Sequence, residues 1–480
     1  MRNLEPRALW NYFYEITRIP RPSKKEERMT AYLKAFADKL ALPVKVDAAG
    51  NVLISKAASP GYEKAKTIIL QSHQDMVCEK NSDVEHNFDT DPIDTYIDGD
   101  WLKAKGTTLG ADNGIGMAMA LAILADKDLQ HPRIECLFTV DEETGLTGAA
   151  ALTSDFMTGT ALINLDSEDD GEIFIGCAGG IDTLARLPYK SEALPPHFFS
   201  FRVSVTGLQG GHSGDDINKN RGNANRILSR FLWALGRDSD LRLRSFEGGN
   251  LRNAIPREAV ALAALPASEK EKLRVRFNLF VAEIEHELLA FEPQMKLTLE
   301  SETGFDEVME NHVAKQLLNV LYACPNAVID MSADMPGMVE TSTNLAAVRT
   351  RKDHVEVTTS QRSSVESKKY DIAQRVEAAF LAAGAEVQHG DGYPGWQPNV
   401  HSELLEKARN AYRKLYGSDA VVRSIHAGLE CGLFLEKYPH LDMISIGPTM
   451  RGVHSPDEKL SISSTCKCWD WLLEILRQSK

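Results

Sequence analysis

The sequence predicts an α/β protein with a mostly parallel sheet in a first domain, residues 1–192 and 393–480, and an inserted α+β domain at 193–392. Three observations predict this. At 480 residues the chain exceeds what one hydrophobic core usually serves. Short apolar strands alternate with helices along the first part, the pattern of a buried parallel sheet. After Leu194-Pro195-Pro196 the rhythm changes to paired strands, and it changes back after the Gly- and Pro-rich stretch 392–398.

In order, residues 6–40 carry helical periodicity, and short strands follow at 44–46 and 51–55, joined through Gly50. Further strands are expected at 67–70, 134–140 and 161–165, with a helix from about 114 to 126. The inserted region then reads strand 198–206, helix 222–236, strands 241–247 and 258–264, helix 268–289 and strand 295–300. Helix 306–323, strands 345–349 and 354–359, helix 368–383 and strand 385–389 follow. This approximates two β-α-β-β-α-β, ferredoxin-like units in tandem, the second less complete and without a sequence repeat. Helices at 401–416 and 428–437 and a strand at 442–446 resume the first style.

Composition narrows the function. The chain is 43% hydrophobic and 25% charged, as in ordinary globular proteins, and its net charge of -14 argues against a nucleic-acid partner, which favours a basic face. The N-terminus shows no signal-peptide h-region and no apolar run reaches the roughly 20 residues of a membrane helix, so a cytoplasmic location without a membrane role is expected. Seven scattered cysteines, with only Cys466 and Cys468 close together, fit a reducing compartment and no zinc-finger spacing.

Several chemistry-bearing residues fall just past the carboxyl ends of expected strands, where ligands collect on a parallel sheet. They are His73-Gln74-Asp75, Asp112 in Gly110-Ala111-Asp112-Asn113-Gly114, Glu142-Glu143, Asp166, and His454 in Gly452-Val453-His454-Ser455-Pro456. Two imidazoles and at least three carboxylates, without thiolate, suit a pair of zinc-like ions rather than a structural zinc or a calcium. Two divalent cations bring four positive charges; Asp112, Glu143, Asp166 and a bridging hydroxide remove them. Taken singly, Asp112 could be a helix cap, Glu142-Glu143 a solvated turn and His454 a loop histidine. A calcium loop starting at Asp166 fails because its twelfth position is Cys177 rather than Glu. The glycines around 207–211 lack the Lys-Ser/Thr of a phosphate loop.

Taken together and in this order, with an insertion between the last two, the set His73-x-Asp75, Asp112, Glu142-Glu143, Asp166 and His454 resembles the M20 family of co-catalytic zinc metallopeptidases. The resemblance spans nearly the whole chain and implies a zinc-peptidase catalytic domain whose insertion is a lid. It further implies that His73 and Asp166 bind one metal, Glu143 and His454 the other, and Asp112 both. Asp75 would orient His73, and Glu142 would be the general base. In the lid, His212 would stabilise the oxyanion, Asn253 and Arg362 would grip substrate, and Gly428 would match a backbone contact from the catalytic domain. Two divalent ions, zinc with manganese or cobalt as alternatives, and hydrolysis of Xaa-His and other dipeptides follow from the same resemblance. An N-acyl-amino-acid deacylase or a longer-peptide aminopeptidase remains the alternative within the family, and a non-catalytic metal-binding protein the alternative outside it. The motif leaves open whether a homodimer forms and whether His212 acts within its own chain.

Overall fold

The computed structural model describes residues Met1–Lys480. They form two compact units, the first comprising Met1–Cys177, Trp396–Ser424 and Leu429–Lys480, the second Ala178–Gly395 and Ile425–Gly428. The first unit carries an eight-stranded sheet in the order Val44–Val46, Val52–Lys56, Ile134–Thr139, Ile68–His73, Ala161–Asn164, Asp442–Ser445, Glu172–Cys177, Val421–Ile425. Its four central strands, Ile134–Thr139 through Asp442–Ser445, run parallel. Val52–Lys56 and Glu172–Cys177 join this core antiparallel, so the sheet is mixed around a parallel centre. Burial explains the division: Ile68–His73, Ile134–Thr139 and Ala161–Asn164 are buried at every position, as parallel strands covered on both faces must be.

The helical region 6–40 is two helices, Arg7–Thr17 and Glu27–Lys39, separated by a segment with Pro20 and Pro22, which cannot continue a helix. The first places Leu9, Trp10, Phe13 and Ile16 on one buried face. Each such side chain contributes roughly 1.5–3 kcal/mol of burial. The helix Ala111–Ala125 is buried on nearly all sides, yet Asp112 and Asn113 are non-helical, so regular helix starts at Gly114, as the sequence predicts. No helix is long and apolar enough to cross a membrane.

The second unit carries a large sheet whose main path runs in the order Lys296–Ser301, Phe198–Thr206, Ala259–Pro266, Arg242–Gly248, Val339–Thr350, His354–Ser363, Gly179–Pro188, Glu386–His389. Ala327–Met331, a strand without a clear sequence signal, pairs with Val339–Thr350. The first four strands, with helices Ala224–Asp238 and Lys270–Leu288, are contiguous in sequence as expected. The other half draws its first strand, Gly179–Pro188, from before them, and continues with helix Asn311–Ala323 afterwards. The two halves are therefore nested rather than in tandem, and a strand displaced in sequence accounts for the apparent incompleteness of the later half. The change of unit falls at Cys177 and Ala178 instead of 192 and 193, because Gly179–Pro188 hydrogen-bonds to His354–Ser363 and Glu386–His389. Both halves share one core, with Phe201, Leu232 and Phe246 in the same cluster as Ala185, Leu345 and Val357.

Candidate metal centre

Strand register brings the first unit's chemistry to the carboxyl ends of its central strands. His73 ends its strand level with Thr139, and Gln71 lies level with Asn164. Asp75, Glu142-Glu143 and Asp166, each two to four residues farther on, therefore leave from neighbouring strand ends, as the sequence predicts.

The carboxylate of Asp112 spans two imidazoles. Its Oδ1 is 3.0 Å from His73 Nε2 and its Oδ2 is 3.2 Å from His454 Nε2. Asp166 Oδ1 lies 3.4 Å from the same His73 nitrogen, and Glu143 Oε2 lies 3.0 Å from the same His454 nitrogen. Each imidazole thus shares Asp112 and has one further carboxylate of its own. Asp112 is not a helix cap; both its oxygens face the imidazoles. His454 takes a left-handed backbone conformation, φ 62°, which non-glycine residues adopt rarely.

Electrostatics supports a cation here. Burial disfavours the charged form of His73, but Asp166, Asp112 and Asp75 outweigh it and raise the imidazole well above its usual value. Hydrogen bonds to Asp112 and Glu143 push His454 up to about 11. Burial would raise Asp112, yet the two imidazoles hold it well below the carboxylate range. The cluster therefore draws in positive charge, as protons when nothing else supplies it. Glu143 Oε1 is buried without a hydrogen-bond partner. His73, Asp112 and Glu143 each offer a ligand atom within 4.8 Å of the others. The residues fit a divalent metal of the zinc type.

Asp75 is tied to more than His73. Its Oδ1 is 3.3 Å from His73 Nδ1 and accepts the Glu142 N–H at 3.1 Å, while Oδ2 accepts the Glu143 N–H at 3.1 Å and the Ser23 hydroxyl at 2.8 Å. One carboxylate thus aligns an imidazole and the Glu-Glu turn together. Burial opposes its charge, but the His73 hydrogen bond and the others hold Asp75 at about 2. Asp141, the first acid of the triplet, is buried and accepts the Thr144 and Thr147 hydroxyls, so it shapes the turn. Burial raises Glu142 well above the usual carboxylate range; Asp166, Glu430 and Glu143 add to the effect and His73 opposes it.

Three supporting residues escape sequence reasoning. Arg21, wholly buried, donates to the carbonyls of Gln74, Asp75 and Gly110. The buried Glu458 carboxylate accepts the backbone N–H groups of Leu109, Gly110 and Ala111 at 2.7, 2.9 and 2.8 Å, holding the chain that carries Asp112. Glu430 Oε2 accepts from Gln71 Nε2 at 2.6 Å and Thr139 Oγ1 at 2.9 Å, while its Oε1 has no partner. Burial pushes Glu430 up to about 8; nearby His73 opposes this and Asp166 and Asp75 add to it.

The second unit gathers the four remaining candidates. Gly211–His212 pairs with Ala254–Ile255, placing Asn253 beside His212, and the Asn253 carbonyl accepts the Ser213 N–H at 2.8 Å. His212 Nδ1 faces the N–H groups of Gly214 and Asp215 at 3.3 and 3.2 Å, with Asp215 Oδ2 slightly farther at 3.5 Å. Arg362 Nη2 is 3.5 Å from His212 Nε2, and Arg362 and Asn253 line one cavity of about 420 Å³. Gly428 belongs to this unit rather than to the first, because it packs against the ring of Tyr393.

Comparison with known proteins agrees with the geometry. The model of peptidase family M20/M25/M40 matches residues 69–478. The chain is 43% identical over 478 residues to the cytosol non-specific dipeptidase of Escherichia coli (strain K12), covering 100% of this chain and 99% of that one. The crystal structure of aminoacylhistidine dipeptidase from Vibrio alginolyticus superposes with a TM-score of 0.95 at 43% identity, over 99% of this chain and 97% of that chain. The aminopeptidase PepT of Bacillus cereus ATCC 10987 shares the fold, with a TM-score of 0.60 at 18% identity over 99% of both chains. By its sequence along nearly its whole length and by the clustering of its imidazoles and carboxylates, the chain belongs to peptidase family M20/M25/M40.

Proposed function

We propose that the chain is a metal-dependent dipeptidase that hydrolyses Xaa-His and other dipeptides, using two divalent ions. The observation that carries the reading is the Asp112 carboxylate, whose two oxygens each face a different imidazole. His73 and Asp166 would hold one ion, Glu143 and His454 the other, and Asp112 both. Zinc suits this donor set best, with manganese and cobalt as alternatives. Once bound, the ions lower the pKa of a water and polarise the scissile carbonyl.

The chain's residues do the rest. Glu142, whose turn is fixed by Asp75, takes the proton of the attacking water and delivers it to the leaving amine. Two backbone N–H groups facing His212 Nδ1 favour the tautomer with a proton on Nε2, suiting it to donate to the developing oxyanion. Arg362 and Asn253 hold the far end of the substrate, the guanidinium fork receiving its carboxylate. The names of the two 43% identical relatives support the dipeptide class, and that of the E. coli protein supports a cytosolic location. In the second unit the strand order supports two ferredoxin-like halves forming the lid.

The test is to strip the protein of metal, titrate it with zinc or manganese, and follow cleavage of an Xaa-His dipeptide beside an N-acetyl amino acid. Recovery of dipeptide cleavage near two metals per chain is the expected result. Cleavage of the acyl substrate alone would establish the deacylase instead, and metal binding with neither activity a non-catalytic protein.

A further inference from the structure

Arg362 is 6% exposed, and the side chain to which its guanidinium donates is a phenol rather than a carboxylate. Its Nη1 donates to the Tyr393 hydroxyl at 2.9 Å, and its Nε is buried without a hydrogen-bond partner. A buried cation with an unused donor suits an incoming anion, provided the fork cannot swing away.

Tyr393 is itself held firmly. Its N–H donates to the Gly180 carbonyl at 2.8 Å, and its own carbonyl accepts from Gly180 N–H at 3.1 Å. The buried Lys369 Nζ donates to the same carbonyl at 2.9 Å. The ring lies against two glycines: a Cβ at Gly180 would come within 2.6 Å of it and one at Gly428 within 2.7 Å. Neither glycine has a positive φ, so each provides room for the ring rather than an unusual backbone conformation. Gly180, Tyr393, Arg362 and Asn253 all line the same cavity.

We infer that Tyr393 is a positioning residue for substrate recognition, its hydroxyl fixing Arg362 in the orientation that receives the C-terminal carboxylate of a dipeptide. This rests on the reading of Arg362 as the carboxylate fork. It also gives Gly428 a task distinct from a direct substrate contact: it makes space for the ring that steadies Arg362.

The experiment compares a dipeptide with its C-terminal amide on the metal-loaded full-length enzyme. Tyr393→Phe keeps the ring and removes only the hydroxyl. Losing one hydrogen bond to a charged group should raise KM for the dipeptide about tenfold, with kcat changed by less than about twofold. The amide should be unaffected. Gly180→Ala keeps the hydroxyl but crowds it, and should reproduce the same carboxylate-dependent defect. Unfolding midpoints like that of the unmodified enzyme guard against misfolding. Equal losses on dipeptide and amide, or no loss on either, would overturn the inference. Arg362→Ala separates the two ideas. If it abolishes the dipeptide preference while Tyr393→Phe preserves it, the inference alone fails; if Arg362→Ala also preserves it, the fork reading fails and takes the inference with it.

Discussion

Glu458→Gln tests how the chain holds Asp112, the proposed bridging carboxylate. Glu458 Oε2 accepts the N–H groups of Leu109 and Gly110, and Oε1 accepts that of Ala111, with the Asp112 N–H at 3.4 Å. A glutamine can satisfy only one side. If its oxygen replaces Oε2, its NH2 group faces the Ala111 N–H, a donor against a donor. That loses one hydrogen bond to a charged acceptor, about 1.5–3 kcal/mol, and weakens the other two by roughly half. The local cost is then about 3–6 kcal/mol, borne by the segment that ends in Asp112. Loosening groups that support metal ligands typically lowers metal affinity about 10- to 100-fold. The assay is a competition titration of zinc between the metal-free protein and a chromophoric chelator, with Glu458→Ala as the more severe companion. Zinc affinity within about twofold of the unmodified protein in both variants would refute the reasoning, since Asp112 would then be held by something else.

Asp75→Asn places an amide nitrogen against the N–H of Glu142 or Glu143, so kcat should fall about 10- to 100-fold while metal content, read by atomic absorption, is retained. Glu142→Ala should keep bound metal and abolish hydrolysis, and unchanged turnover would remove it from the mechanism. Glu430, held at about 8, keeps its proton in the folded state at pH values where the unfolded chain releases it. Its contribution is therefore intact below about 4.5, falls as pH rises from there to about 8, and is level beyond; the cost reaches up to about 5 kcal/mol. Glu430→Gln should flatten that part of the pH dependence of the unfolding midpoint in the metal-free protein, and an unchanged slope would contradict the assignment. At Gly116 an added Cβ would overlap Asn113 Oδ1 and come within 2.8 Å of the Leu165 carbonyl. Gly116→Ala should therefore destabilise by about 1–3 kcal/mol and, because Asn113 donates to Asp166, weaken metal binding in the same titration.

The elements legible in the sequence are those whose signal is local. Ile68–His73 and Ile134–Thr139 are wholly buried strands with apolar starts or centres that end in the turns carrying candidate ligands, and Asp112-Asn113-Gly114 marks the true start of its helix. Gly179–Pro188 escapes such reading because it begins with two glycines, which signal a break, although its later inward positions alternate. The glycines are there because the turn containing Tyr393 and Pro394 packs directly on them. Without this strand the nested halves resemble a tandem pair, and the boundary shifts accordingly. The proline-bearing break inside 6–40 is visible in composition, but helical periodicity on both sides masks it.

The candidate site divides in the same way. Its proposed ligands are a pattern of residue types after strand ends, and that pattern survives in one dimension. The groups that hold them do not: Glu458 reaches Leu109 across 349 residues of sequence, Glu430 reaches Gln71 across 359, and Arg21 reaches Gly110 across 89. Each is an ionisable residue that burial would exclude unless backbone or side-chain partners met it, so its presence in the interior signals a specific task. Nothing local distinguishes these three from the many charged residues on the surface. The separation has a physical origin. A ligand must sit at a strand end because that is where side chains can converge, whereas its support can come from any segment that passes behind it. A sequence therefore displays the ligands of such a site more openly than the groups that hold those ligands still.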